Sequence, residues 1–175
     1  MVERIIIAGS GGQGIMLLGK IIAEAAMRED KFVTWLPSYG AEVRGGTAYC
    51  MIIISDQEIG SPYILKADTL IVLNEPSLLR FKGRLGNKGL LIADNSLIED
   101  KSVQGDYYPF TDIAIKLGNV KVANVVVLGS FITLKKIVFK ESALQAMQNF
   151  AGQDKKHLLE INQKALEAGI SLSKK

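Results

Sequence analysis

Gly9-Ser10-Gly11-Gly12-Gln13-Gly14 is the first segment whose residue types and spacing could do chemistry. It fits G-x-G-x-x-G directly after an apolar, strand-like run and directly before a helix-like stretch. Glycines in that place permit a tight turn and let backbone N–H groups approach a phosphate at the helix N-terminus. A nicotinamide dinucleotide site adds an acid about 20 positions on, at the end of the second strand, to bind the ribose. Here that stretch is Phe32-Val33-Thr34-Trp35-Leu36-Pro37-Ser38, and the nearest acids are Glu29 and Asp30 before it and Glu42 beyond it. The anion-cradling half of the motif is present and the ribose half is missing, so NAD is expected to bind poorly. Three readings stay open for Gly9, Gly11, Gly12, Gln13 and Gly14: close packing of helix on sheet, contact with the phosphate of another ligand, and a NAD or FAD site.

A second segment, Ser38-Tyr39-Gly40-Ala41-Glu42-Val43-Arg44-Gly45-Gly46-Thr47, breaks all periodicity and reads as a loop. The carboxyl ends of parallel strands share one edge of a sheet, so this loop is expected beside the glycine loop. Arg44, followed by Gly45 and Gly46, can offer a bidentate pair to a carboxylate or phosphate. An Arg44–Glu42 salt bridge bracing the loop is the alternative.

The remaining candidates read as structural. Cys50 and His157 are the only residues of their kinds. One cysteine makes no internal disulfide and no cluster or zinc site by itself, which fits a reducing cytosol. Cys50 sits in a β-branched run and reads as a small buried hydrophobe. His157 reads as a surface or interface residue, Asn124 and Asn162 as hydrogen-bonded packing groups, and Ser10 lacks a base that would make it a nucleophile. No catalytic or metal-ligating residue is assigned.

These loops need elements to hold them. The 175 residues, 48% hydrophobic and 22% charged, fit one domain over 1–175. A net charge of +3, with no lysine cluster larger than the pairs 135–136 and 155–156, argues against a nucleic-acid partner. No apolar run approaches the roughly 20 residues that span a bilayer, and no signal peptide is recognised, so a cytoplasmic protein is expected. Strands are expected at 3–8, 31–36, 47–55, 69–73 and 90–93, the last after an Asn87-Lys88-Gly89 turn, with a short edge strand at Tyr107-Tyr108. Helices are expected at 13–28, 76–84, 111–117, 122–134, 141–151 and 154–168, with Gly169 as the C′ stop of the last. The first strand, helix and second strand read as a βαβ unit, and residues 47–59 as a hairpin turning at 56–60. The expected class is α/β: three-layer α/β/α, Rossmann-like, a mostly parallel sheet with an added antiparallel hairpin. The helix at 122–134 is apolar nearly all round, so it and the 38–47 loop are expected to face other subunits or a second copy.

Several blocks together resemble the gamma subunit, or gamma domain, of 2-oxoacid:ferredoxin (acceptor) oxidoreductases. They are GSGGQG at 9–14, SYGAEVRGGTAYC at 38–50, ISDQEIGSP at 54–62, ADTLIVLN at 67–74, NVVVLGS at 124–130 and INQKALEAG at 161–169. The Gly-Ala-Glu-Val-Arg-Gly-Gly core is far more specific than the glycine loop. Arg-Gly-Gly-Thr looks more like the 2-oxoglutarate type than the pyruvate type, where Arg-Gly-Ala-Pro is expected. Ala41 stands where many relatives are expected to carry proline, which leaves the loop intact but less rigid. The resemblance implies a complex that decarboxylates a 2-oxoacid to an acyl-CoA and CO2 and passes electrons to ferredoxin or another acceptor. Thiamine diphosphate and iron–sulfur clusters are then expected in thiamine- and ferredoxin-type partner subunits, with no cofactor bound by this chain alone and no activity in isolation. The same resemblance places Ser38, Tyr39, Gly40, Glu42, Arg44, Gly45 and Gly46 on the substrate or CoA side, or at an interface, and admits a homodimer. Two other readings are a free-standing nucleotide-binding or regulatory module and the equivalent subunit of an indolepyruvate-type oxidoreductase.

Overall fold

In the computed structural model, residues 1–38, 47–151 and 156–174 are described, without the side chains of 151 and 156–158. Tyr39, Gly40, Ala41, Glu42, Val43, Arg44, Gly45, Gly46 and the His157 side chain therefore lie outside the description. The strands are β1 Val2–Ser10, β2 Phe32–Ser38, β3 Thr47–Ser55, β4 Ala67–Val72, β5 Leu85–Asp94 and β6 Asp106–Tyr108. The helices are α1 Ile15–Met27, α2 Glu75–Phe81, α3 Phe110–Lys116, α4 Ala123–Lys135, α5 Lys140–Ala151 and α6 Lys156–Ser173.

One six-stranded sheet holds the fold, in the order β2-β3-β1-β4-β5-β6. β1, β4, β5 and β6 run parallel, whereas β3 is antiparallel to both β1 and β2. β1 is buried on both faces: Ile5 and Ile7 join the larger core with α1 and α3–α6, and Ile6 and Ala8 join a smaller one under α2. A continuous Ile5-Ile6-Ile7-Ala8 run, without alternation, is what two-sided burial requires. The three layers are thus present but unequal.

The antiparallel hairpin is present, with different members from those expected. Its arms are β2 and β3, paired from Phe32–Ser55 to Ser38–Tyr49. No strand follows Ser55 within 56–66, so the turn expected at 56–60 has no return arm. Asp56 instead ends the strand by pairing with Lys31. The physical reason is the apolar run Cys50–Ile54, buried on every residue, which fits an inner strand and not a surface hairpin. β3 takes the place beside β1, so the expected βαβ neighbours are separated by one strand.

Three further expectations are corrected. Asn87-Lys88-Gly89 is no turn: β5 begins at Leu85, and 86–89 form a bulge where Ala67 pairs with Leu85 but Thr69 with Leu90. α4 does not face outward. Its residues 123–132 are all buried within the chain's own core, packed by α6, α3 and α1. Gly169 does not end α6, which runs on to Ser173. It lies inside the helix against α4, where a Cβ would fall 2.9 Å from the Val126 carbonyl carbon and 3.0 Å from Gly129 Cα. Both helices approach backbone to backbone because both contribute a glycine there, and Ser130 Oγ donates to the Gly169 carbonyl at 3.1 Å.

Candidate functional site

The carboxyl ends of β1, β2 and β4 and the start of β3 meet at one edge of the sheet. Ser10 pairs with Thr47 and Ser38 with Tyr49, so both ends of the 39–46 segment are anchored beside the glycine loop, as expected. Ser38 is the described member of that loop's residue set, and it lines a cleft with the glycine loop. The cleft, of about 400 Å3, is bounded by Ser10, Gly11, Gly12 and Gly14, by Met16 and Leu17 of α1, and by Ser38 and Ala48. No described residue lining it carries a charge.

The loop itself is built by conformation and by side-chain braces. Gly12 at φ +91° and Gly14 at φ +74° take the left-handed backbone that side chains resist. Gly9 is closed in, since a Cβ there would lie 2.7 Å from Gln13 Oε1 and 2.7 Å from Ile15 Cδ1. Gln13 Oε1 accepts the Ser10 N–H at 2.6 Å, and its Nε2 donates to the Leu73 carbonyl at 3.0 Å. Asn74 Nδ2 donates to Ser10 Oγ, while Asn74 Oδ1 accepts the Ser77 N–H at 3.0 Å and caps α2. On the other flank, buried Asn124 of α4 donates from Nδ2 to the Gly14 carbonyl at 3.3 Å.

These bonds bear on what the loop can bind. α1 leaves β1 over one face toward β2, and α2 leaves β4 over the other toward β5. The direction reverses between β1 and β4, and the crevice there is where open α/β sheets take their ligands. Gln13 and Asn74 span that crevice, while the exposed residues Gly11 and Gly12 line the cleft toward α1 and β3. Ser38, at the end of β2, lies two strands from β1, which removes the neighbour that carries a ribose-binding acid in a dinucleotide site. Gln13 thus braces the loop, with both ends of its side-chain amide engaged within the chain. Sequence reasoning missed Asn74 and the Leu73 carbonyl. Asn74-Glu75-Pro76 is a helix-start signal that marks the cap, though nothing in it announces the reach to Ser10.

Cys50 lies beneath α1, fully buried, with Trp35 and Gly19 against it. Burial pushes its thiol from 9.0 up to about 12, with a smaller opposing contribution from the Trp35 side chain. Because the folded value is raised, this group's contribution to stability is complete below about pH 9 and is lost as pH rises through about 12. Native protein at pH 8 is expected to resist an aromatic disulfide reagent and to release one equivalent of thiol only after denaturant is added. Rapid stoichiometric labelling without denaturant contradicts the burial.

Among the described residues no group of His, Cys, Asp and Glu could hold a metal ion, and no helix is long and apolar enough to cross a membrane. A family model described as pyruvate ferredoxin/flavodoxin oxidoreductase matches residues 4–172. The chain belongs to that family. It is similar to 2-oxoglutarate synthase subunit KorC of Methanocaldococcus jannaschii, 36% identical over 170 residues, covering 91% of this chain and 90% of the relative. It is also 34% identical over 168 residues to ketoisovalerate oxidoreductase subunit VorA of Methanothermobacter thermautotrophicus, covering 95% of this chain. The chain spans only 35% of that VorA's length. Among solved structures, the gamma subunit of a keto/oxoacid ferredoxin oxidoreductase from Geobacter sulfurreducens matches with a TM-score of 0.85 and 30% identity, covering 99% of this chain and 97% of that one. The unequal three-layer sheet is therefore the family's architecture, and these relatives are subunits of oxidoreductases.

Proposed function

We propose that this chain is the gamma subunit, or gamma domain, of a thiamine-diphosphate-dependent 2-oxoacid:ferredoxin (acceptor) oxidoreductase, with 2-oxoglutarate as the preferred substrate. The observation that carries the reading is the end-to-end similarity to both KorC and the Geobacter gamma subunit. The Arg44-Gly45-Gly46-Thr47 form favours 2-oxoglutarate, while the VorA similarity keeps branched 2-oxoacids, and the indolepyruvate-type alternative, as outcomes of a substrate panel. Thiamine diphosphate and the clusters are assigned to partner subunits, where they would supply decarboxylation and electron transfer to the acceptor. The residues of this chain bind and orient. The cleft between glycine loop, Ser38 and Ala48, whose described lining is uncharged, suits a neutral arm leading to an anionic group, as the pantetheine arm of coenzyme A leads to its phosphates. Gly11 and Gly12 are the amides nearest such an anion, and Arg44, from the segment anchored by Ser38 and Thr47, is the cation proposed for it. The Gln13 and Asn74 braces across the β1–β4 crevice count against a free-standing dinucleotide-binding module.

Arg44→Lys tests the assignment in the intact complex. It keeps the charge and loses the planar fork, so a bidentate contact weakens while simple attraction survives. Losing one charge-assisted hydrogen bond costs roughly 1.5–3 kcal/mol, or about ten- to a hundred-fold in affinity. The Michaelis constant for CoA or for the 2-oxoacid is expected to rise accordingly, with assembly unchanged. Unchanged kinetics, together with a small loss of stability that Glu42→Gln reproduces, assigns Arg44 to a salt bridge instead.

A further inference from the structure

β2 is one outer strand of the sheet, with β3 on its inner side. An outer strand presents a row of unpaired N–H and C=O groups, and chains guard such edges by keeping them short, charged or covered. The opposite edge follows that rule, since β6 is three residues long and begins with Asp106. β2 does not: it has seven residues, Phe32–Ser38, and none is charged. Its register sets Phe32, Thr34 and Leu36 across from Ser55, Ile53 and Met51 on the face that α2 covers farther along, over β1 and β4. Among the described residues the helix packed against β2 is α1, over the opposite face, and Phe32 and Leu36 are 46% and 37% exposed.

We propose that β2 pairs antiparallel with β2 of a second copy of this chain, about a two-fold axis at Thr34, joining two sheets edge to edge. The strand's self-complementarity is what selects a second copy. With Thr34 opposite its own mate, Phe32 of each copy stands opposite Leu36 of the other, and Val33 opposite Trp35. The two exposed apolar side chains on the open face then cover each other, and an uncharged strand meets itself without like-charge repulsion. Pro37 falls opposite Lys31, at the end of the paired stretch, where its missing N–H is tolerated. A register centred on Trp35 sets Phe32 against Ser38 and Leu36 against Thr34, and loses the apolar match. The inference is independent of which reaction the complex carries out.

The test uses the full chain with a cysteine at Thr34, whose hydroxyl is buried without a partner among the described residues. Native Cys50 is fully buried and does not compete. Directly opposed residues in an antiparallel pair lie about 4.5–5.5 Å apart at Cα, within the span of a disulfide. Mild oxidation is expected to give a covalent dimer with Thr34→Cys. Phe32→Cys should give none, its mate lying roughly 13 Å away, four residues along the strand. Light scattering is expected to show a concentration-dependent dimer whose dissociation constant rises at least about tenfold in Leu36→Lys, with the melting temperature unchanged at concentrations where both proteins are monomeric. Equal cross-linking at 32 and 34, or a monomer at every concentration with no cross-link at 34, overturns the proposal. So does protection of β2 amides from exchange only when a thiamine-bearing partner subunit is added, because the strand would then serve that partner.

Discussion

Gly169→Val is expected to lower the stability of the chain by about 3 kcal/mol or more, at the upper end of what overpacking a core costs. The added carbons have nowhere to go. A Cβ at 169 meets the Val126 carbonyl, and one at Gly129 meets Leu166 and Ile170 backbone, so the obstacle on each side is main chain and cannot rotate away. Separating α4 from α6 would also loosen Phe131, Leu166 and their neighbours in the larger core. Urea denaturation followed by circular dichroism measures the loss. Gly83→Val is the control, because a Cβ there meets open space. A Gly169 variant as stable as the Gly83 one would show that the helices do not cross so closely.

Asp94→Ala is expected to cost about 3 kcal/mol, since removing one partner of a buried charge-assisted network leaves the others unpaired. Asp94 closes β5 and is fully buried. Its Oδ1 accepts the Ser96 N–H at 3.0 Å, and its Oδ2 accepts the Thr111 hydroxyl at 2.5 Å and the Thr111 N–H at 3.2 Å. Ser96 Oγ in turn accepts the Asp112 N–H at 3.1 Å, so one carboxylate fixes the start of α3 relative to the sheet. For a chain of this size the loss corresponds to roughly 6–12 °C in Tm. Hydrogen exchange should place the earliest opening in α3. Asp94→Asn keeps one acceptor and the shape, and is expected to lose about half as much. An alanine variant that melts with the parent would remove Asp94 from the structural frame.

The expected strands and helices were legible where one pattern acted alone. Thr47–Ser55 coincides with β3 because it is rich in β-branched and aromatic residues, and Ile15, Leu18, Ile22, Ala25 and Ala26 of α1, which fall on one helical face, are all buried. Partner choice was not legible, because an apolar run states that it is buried and not which strand lies beside it. That is why β3 was placed in an outlying hairpin when it separates β1 from β2. Gly169 and the 87–89 bulge failed for a related reason: glycine signals freedom of the backbone, and the same signal serves a stop, a turn, a bulge or a close crossing. The all-apolar α4 called for burial on every side, and α6 and its neighbours supply it from within the chain. At the site, the placing of Ser38 at the sheet edge that also carries the glycine loop followed from the shared direction of β1 and β2. The braces from Asn74 and Asn124 join residues far apart in sequence, and a single polar residue does not name its partner.

The insertion of β3 between β1 and β2 also sets an order of assembly. β1 gains no sheet neighbour when α1 and β2 have been made, for Ser10 must meet Thr47 and Val2 must meet Ser55 before its first ladder closes. Its parallel edge waits longer still, until β4 brings Thr69 to Ile5. β2 and β3, by contrast, close on each other across residues 39–46 alone. A short loop costs less entropy to close than a long one, so the β2–β3 ribbon should form first and dock as a unit onto β1. During synthesis, Ile5-Ile6-Ile7 therefore has no sheet neighbour from this domain until residue 55 clears the exit tunnel, and the domain is most prone to aggregate in that interval.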